Sequence, residues 1–232
     1  MPVFNWSELQ PERVDGDWSP AMAPVVRGAK IAAARITYRA GSEVRRHVTT
    51  HEEIHSVIAG RARYSVGGEE RMVGAGEAVL IAPGSEYGVR ALEDVEIVAF
   101  RDVTGGPDAK PEPGTPGMFF SWSDLKSDFI TPKYSSGRGP TVSGRRIEVA
   151  YMFYPGGTRA TPHSHPNEQI QVALKGRVTA TIAGQRATFG AGEGVLFPSG
   201  VEHGVEIVED YTTINCKDIV PGWSVYKGGW DR

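Results

Sequence analysis

His163 and His165 stand one residue apart, and Gln169 follows after three more residues. On an extended strand these three side chains share parity and point to one face. Two imidazoles and an amide oxygen at one strand edge are donors suited to a divalent transition metal, and His203 is the expected fourth. An ion held only by neutral ligands keeps its charge, and would act as a Lewis acid with positions open to substrate or water. Glu168 has the opposite parity and is expected to point away. Gln171 shares the parity of Gln169 and is a candidate for the pocket wall. Tyr151 is another, with Phe153 beside it, although the parity of their strand is not fixed by sequence. Arg159 is a weaker candidate for binding a carboxylate at the pocket mouth.

These residues sit in one half of a repeat. Phe4-Asn5-Trp6-Ser7-Glu8-Leu9 recurs as Phe120-Ser121-Trp122-Ser123-Asp124-Leu125, at an offset of 122 − 6 = 116. The same offset pairs Gly41 with Gly157, His47 with His163, Gly60 with Gly176, Gly76 with Gly192 and Gly84 with Gly200. A frame held over the whole chain marks a tandem duplication. The expected division is an N-terminal domain over residues 1–103, a Pro/Gly-rich linker over 104–117 and a C-terminal domain over 118–232.

The elements that must position the candidate ligands are short strands. Arg146–Tyr154 ends at Pro155-Gly156-Gly157. Gly176–Ile182 alternates before Ala183-Gly184, and Arg61–Val66 with Gly67-Gly68 is its first-half copy. Such runs between turn residues predict an all-β chain of sandwich or barrel type. The only helical expectation is one short turn at Trp6–Leu9 and at its copy, capped by Ser7 or Ser123. Residues 11–24 and 131–144 are expected to be irregular loops.

The spacings carry a resemblance. Gly157, five residues, His163-x-His165, three residues, Gln169, six residues and Gly176 form one motif. Gly192, five residues, Pro198-x-Gly200, two residues and His203 form another. Together they resemble the two sequence motifs of the cupin superfamily, with Gln169 where that pattern has an acidic ligand. The resemblance covers both halves, so the chain looks like a bicupin. It implies two tandem cupin barrels, that is, double-stranded β-helix or jelly-roll barrels. The run His163 to Ile170 is similar to the second motif of the bacilysin-pathway bicupin isomerases and of the uronate ring-opening cupins, in which Gln also takes the acidic position.

The first half departs from the pattern. His47 and Glu53 keep their register before Gly60, but Thr49 replaces the second histidine and Tyr87 the last. His51 and His55 share parity with His47 and Glu53. The expectation is a barrel that has lost its metal and filled the space with a polar network. The alternative is a rearranged site using His47, Glu53 and one of His51, His55 or Tyr87. All 6 histidines of the chain fall within these motif regions.

Composition excludes other classes. A net charge of −3 gives no footprint for nucleic acid or an anionic membrane surface. No apolar run approaches membrane-spanning length, and there is no basic-then-apolar leader pattern. The single cysteine, Cys216, excludes an intrachain disulfide and fits a reducing compartment, so a cytoplasmic protein is expected. Cys216 itself reads as a buried structural thiol. The aromatic tail Trp223–Trp230 is a candidate cap for a barrel or an interface.

The resemblance implies one divalent transition metal per chain (Fe, Mn, Ni, Zn, Co or Cu), a small-molecule substrate, and a monomer or homodimer. It further implies non-redox isomerase, lyase or cyclase chemistry on a keto acid, sugar acid or enol. The alternatives are an iron-dependent dioxygenase and a non-catalytic ligand-binding bicupin.

Overall fold

The computed structural model describes residues 3–105, 117–130 and 134–223. The chain is almost wholly antiparallel β-structure. It forms two compact units, one of residues 9–125 and one of residues 1–8 with 126–232. No helix among the described residues is long and apolar enough to cross a membrane.

Each unit packs two antiparallel sheets face to face. In the unit of residues 9–125, one sheet runs Met118–Ser121, Glu77–Ile81, Glu53–Ala59, Val95–Asp102, Ile31–Tyr38, Met22–Arg27 and Pro11–Arg13. The other runs Glu43–Val48, Glu86–Ala91, Arg61–Val66 and Glu69–Gly74. Ile36, Val57, Val79 and Ile97 from the first sheet meet Val44, Tyr64, Val66 and Val89 from the second in one buried core.

The other unit repeats this plan. Its larger sheet orders Val3–Asn5, Glu193–Phe197, Gln169–Lys175, Tyr211–Asp218, Ile147–Tyr154, Arg138–Gly139 and Asp128–Phe129, with Thr141–Ser143 also beside Ile147–Tyr154. Its smaller sheet orders Arg159–His163, His203–Ile207, Arg177–Ile182 and Gln185–Gly190. Met152, Ala173, Val195 and Phe197 face Val178, Ala180, Val205 and Ile207 across the core.

The duplicated Phe-x-Trp-Ser segments are exchanged. Val3–Asn5 adds an edge strand to Glu193–Phe197, with Phe4 opposite Gly194. Met118–Ser121 does the same for Glu77–Ile81, with Phe120 opposite Ala78. Trp6 N–H donates to the Gly192 carbonyl at 3.2 Å, and Trp122 N–H to that of Gly76 at 3.1 Å. The compact units therefore differ from a cut at 103 and 118. Each segment satisfies the exposed backbone groups of a strand edge in the unit encoded by the other half. The expected linker lies mostly outside the described residues, over 106–116, as does most of the aromatic tail, over 224–232.

Two local expectations are corrected. The turn Trp6–Glu8 is 3-10 helix, and its cap is Asn5, whose Oδ1 accepts from Ser7 N–H at 2.9 Å. Ser7 is thus the capped residue, and Ser123 bonds the Ser121 hydroxyl at 2.8 Å. The segments expected to be irregular hold short strands: Pro11–Arg13 pairs with the start of Met22–Arg27, and Arg138–Gly139 and Thr141–Ser143 each pair with Ile147–Tyr154.

The glycine that closes each His-containing motif has a specific cause. Gly60 has φ +73°, and a Cβ there would lie 2.1 Å from the Asp94 carbonyl oxygen. Gly176 has φ +76°, and its Cβ would lie 2.0 Å from that of Asp210. Only glycine combines left-handed backbone with such close approach.

Candidate metal centre

His163 ends the strand Arg159–His163 and lies opposite His203, the first residue of His203–Ile207. A register shift between Ala160 and His163 lets this edge strand bend as it reaches the site. His165 follows in the turn, where its carbonyl accepts from Gly200 N–H at 2.8 Å. Asn167 Nδ2 donates to the Asp218 carbonyl at 2.6 Å, and Glu168 N–H donates to the Asp218 carboxylate. The turn is thereby tied to the strand Tyr211–Asp218, and Gln169 opens the next strand facing the histidines.

The ligand-capable nitrogens of His163, His165 and His203 all lie within 4.8 Å of one another. Ring centroids are 4.6 Å apart for His163 and His203, and 4.8 Å for His165 and His203. Each Nδ1 is bonded to a backbone carbonyl, His163 to Thr161 at 2.7 Å, His165 to Asn167 at 2.8 Å and His203 to Val201 at 2.9 Å. A carbonyl only accepts, so Nδ1 carries the proton and Nε2 presents its lone pair. This is the outer-shell arrangement that orients imidazoles for a metal.

Gln169 Oε1 stands 3.2 Å from His165 Nε2. The amide is oriented by its other end, since Nε2 of Gln169 donates to Asn215 Oδ1 at 3.5 Å and Asn215 Nδ2 donates to Met152 Sδ at 2.9 Å. Two acceptors therefore face each other, an arrangement that a shared cation resolves. The donor set of three imidazole nitrogens and one amide oxygen fits a divalent transition metal.

Burial keeps the rings neutral. It lowers His163, takes His165 down to about 2 and His203 to about 4, with Lys217 adding to the effect in each case. Neutral imidazole is the form that ligates.

The cluster forms part of a pocket with a cavity volume of about 60 Å³, lined by His163, His203, Gln169, Gln171 and Phe197, and also by Glu148 and Lys217. Gln171 Nε2 donates to the Tyr211 hydroxyl at 3.3 Å. Tyr151 is not in this wall. Glu148, Ala150, Met152 and Tyr154 take the inward parity, while Tyr151 and Phe153 line a separate groove with Phe129 and Arg138. Arg159 is exposed, opposite Glu206.

Two pocket residues escaped sequence reasoning. Glu148 is opposite Lys217 in the sheet register, and Lys217 is also opposite Gln169. Burial lowers the Lys217 ammonium to about 8, against the opposing influence of Glu148 and Asp218. Burial raises the Glu148 carboxyl, although its Oε2 accepts from the Ser143 hydroxyl at 2.9 Å. The available signal was the repeat offset, 217 − 116 = 101, which aligns Lys217 with Arg101.

The first unit shows what became of the other copy. His47 keeps the geometry of His163, with Nδ1 on the Arg45 carbonyl at 3.0 Å. Tyr87 takes the place of His203, 4.6 Å from the His47 ring. Thr49, in the place of His165, donates to Glu53 Oε1 at 2.7 Å. His55 Nε2 lies 3.0 Å from Glu53 Oε2, and its Nδ1 lies 3.3 Å from the Tyr64 hydroxyl. Arg101 lies 3.5 Å from Glu53 and 3.0 Å from Asp15. Burial alone would raise the Glu53 carboxyl, but Arg101, His55 and Thr49 outweigh it and hold it well below the usual range.

A guanidinium thus stands beside the one acidic residue of the motif. His51 is partly buried, and its Nδ1 has no hydrogen-bond partner. Among the described residues, the only converging group of three metal-capable His, Cys, Asp or Glu side chains is His163, His165 and His203. Around Glu53 the side chains of Thr49, His55 and Arg101 form a buried polar network.

With this geometry in view, sequence and structure comparisons agree on the class. The Cupin domain family matches at residues 34–101 and again at 150–213, and the chain belongs to that family as a tandem, two-barrel member. No curated protein matches the chain in sequence. Among solved structures it is similar to a single-residue variant of oxalate decarboxylase from Bacillus subtilis, at TM-score 0.69 and 16% identity over 96% of this chain and 80% of that one. It is also similar to the protein Ylba from E. coli, at TM-score 0.72 and 14% identity over 94% and 90% of the two chains. A third is a Cupin 2 conserved barrel domain protein from Leptotrichia buccalis, at TM-score 0.63 and 12% identity over 94% and 96%. Likeness at these identities establishes the fold and no more.

Proposed function

We propose that the C-terminal barrel is a metal-dependent enzyme acting without net redox change, an isomerase, lyase or cyclase on a small oxygenated substrate such as a keto acid, sugar acid or enol. His163, His165, Gln169 and His203 would hold one divalent transition metal. The carrying observation is the acceptor-to-acceptor approach of Gln169 Oε1 to His165 Nε2 at 3.2 Å, beside two more imidazoles whose Nε2 lone pairs are also presented. When bound, such an ion supplies Lewis acidity toward a carbonyl or enolate oxygen.

The chain's own residues supply the rest. The backbone carbonyls of Thr161, Asn167 and Val201 hold the imidazoles in one tautomer. Phe197 packs 4.4 Å from the His203 ring and shields that side from water. Glu148, raised by burial, is a carboxyl able to hold or pass a proton at its Oε atoms within the same pocket. The Bacillus subtilis oxalate decarboxylase has Mn(II) centres, which makes manganese the first ion to try.

The test is anaerobic. Metal-loaded protein is incubated in D2O with a panel of enolisable keto acids and uronates, and exchange of the α-proton and product formation are followed by NMR. Turnover without oxygen that is lost in His163→Ala supports the proposal. Turnover that requires oxygen and consumes it replaces it with the iron-dependent dioxygenase.

A further inference from the structure

Of the three imidazoles, His163 has the most exposed position. It ends Arg159–His163, the outermost strand of the smaller sheet, just past a register shift. His165 and His203 are buried, whereas His163 is only partly so. An imidazole turns about a broad sp³–sp² torsion, so a ring in that position is oriented by what it touches.

Tyr134 holds it from two directions. Its ring stacks on the His163 ring, with centroids 5.5 Å apart and planes 25° from parallel. Its carbonyl accepts from Thr161 N–H at 2.9 Å, and the Thr161 carbonyl accepts from His163 Nδ1 at 2.7 Å. Ser135 makes a bridge to Ala160 on the same strand. Side chain and backbone together fix the plane of the ring and the strand end that carries it.

The duplicate shows that this ring serves the histidine rather than a core. Trp18 is the equivalent of Tyr134, at 134 − 116. It stacks on His47 with centroids 5.6 Å apart and planes 2° from parallel, although 46% of it is exposed. A ring left that exposed is not filling a core, and its face is given to the imidazole.

We propose that Tyr134 is a positioning residue of the metal centre, which clamps His163 at the end of its strand so that the third imidazole is in place before the metal arrives. This rests on the metal reading above. A ligand already ordered costs less to engage than one that must be ordered on binding. The stacking face does the holding, so other aromatic residues serve at position 134 and aliphatic ones do not.

The test measures Mn(II) affinity of the full chain by calorimetric titration, together with the visible absorption of the Co(II)-loaded form, which reports the coordination geometry. Tyr134→Phe and Tyr134→Trp are expected to keep the affinity and spectrum of the parent. Tyr134→Leu and Tyr134→Met occupy the space without a stacking face. They are expected to weaken Mn(II) about tenfold or more and to alter the Co(II) spectrum, with the thermal midpoint of the metal-free protein near that of the parent. Trp18→Leu, the same change in the other unit, should alter neither reading. Parent affinity and spectrum in whichever of Tyr134→Leu and Tyr134→Met is folded overturn the proposal, as does an equal loss in Tyr134→Phe. If the protein takes up no metal, the metal reading fails by itself. The clamp is then judged on the metal-free full chain by the rate at which diethylpyrocarbonate modifies His163, followed by mass spectrometry. Modification severalfold faster in Tyr134→Leu than in both the parent and Tyr134→Phe upholds it, and an unchanged rate overturns it.

Discussion

Gln169 Oε1 and His165 Nε2 confront each other at 3.2 Å, both as acceptors, because the Asn167 carbonyl holds the proton of His165 on Nδ1. Left alone, two lone pairs at that distance repel. A cation between them converts the repulsion into two bonds. Divalent metal should therefore raise the thermal midpoint of the protein in a concentration-dependent way. Gln169→Ala should weaken the metal by about 10- to 100-fold, the range seen when a partner in a metal site is removed. Thermal melts across a metal series check both statements.

Because burial takes His165 down to about 2 and His203 to about 4, these rings are already neutral at pH 7. Metal uptake at neutral pH should accordingly displace almost no protons from them. A free imidazole with an ordinary pKa near 6.5 would give up a measurable fraction. In the metal-free protein these lowered values cost nothing well above pH 6.5, where the rings are neutral in the folded and the unfolded chain alike. Their folded values lie below the unfolded value, so stability declines as pH falls below about 6.5, where the unfolded chain takes up protons that the folded chain refuses. Calorimetry of metal binding in two buffers of different ionisation enthalpy measures the proton count.

In the first unit, Arg101 is the counter-charge for the buried Glu53. Arg101→Met should destabilise the protein by about 3–5 kcal/mol, because a buried carboxylate loses its principal partner. The double change Arg101→Met with Glu53→Gln should recover most of that loss. The sign with pH is fixed by the depressed carboxyl. Its contribution is complete above the ordinary carboxylate range and is lost progressively as pH falls through it toward the folded value. The gap between wild type and Glu53→Gln in chemical denaturation should therefore be largest at neutral pH and shrink in acid.

Gly176 carries φ +76° and admits no Cβ, since one would lie 2.0 Å from the Asp210 carbonyl oxygen. Gly176→Ala should cost more than the roughly 1 kcal/mol of an ordinary glycine-to-alanine strain, because the strand Tyr211–Asp218 must also shift. Gly184 also has a positive φ, +78°, but has open space around a Cβ, so Gly184→Ala should cost only the backbone term. Parallel denaturation of the two variants separates crowding from dihedral strain.

The repeat, the all-β class and the four candidate ligands were legible because each leaves a fixed-spacing trace. Parity on one strand brings Gln169 and Gln171 to the same face, and the 116-residue frame supplies the second barrel. Parity did not place Tyr151 because every residue of Ile147–Tyr154 except Glu148 is apolar or aromatic, so alternation does not tell inside from outside. Glu148 and Lys217 were hidden for a related reason. Their charges lie in strands otherwise buried, where a single charged residue looks like a solvated edge. The segment exchange left no signal, since an edge strand pairs through its backbone, and the sequence of Val3–Asn5 does not name the edge it will join.

The central claim is that one barrel binds metal and its duplicate does not. The most direct measurement is the metal content of the full chain, purified without chelator and then titrated with Mn(II), for the parent, His163→Ala and His47→Ala. The account predicts about one equivalent in the parent and in His47→Ala, and near none in His163→Ala, with all three folded by far-UV circular dichroism. Metal lost equally from both variants, or a parent that takes up none, would contradict it.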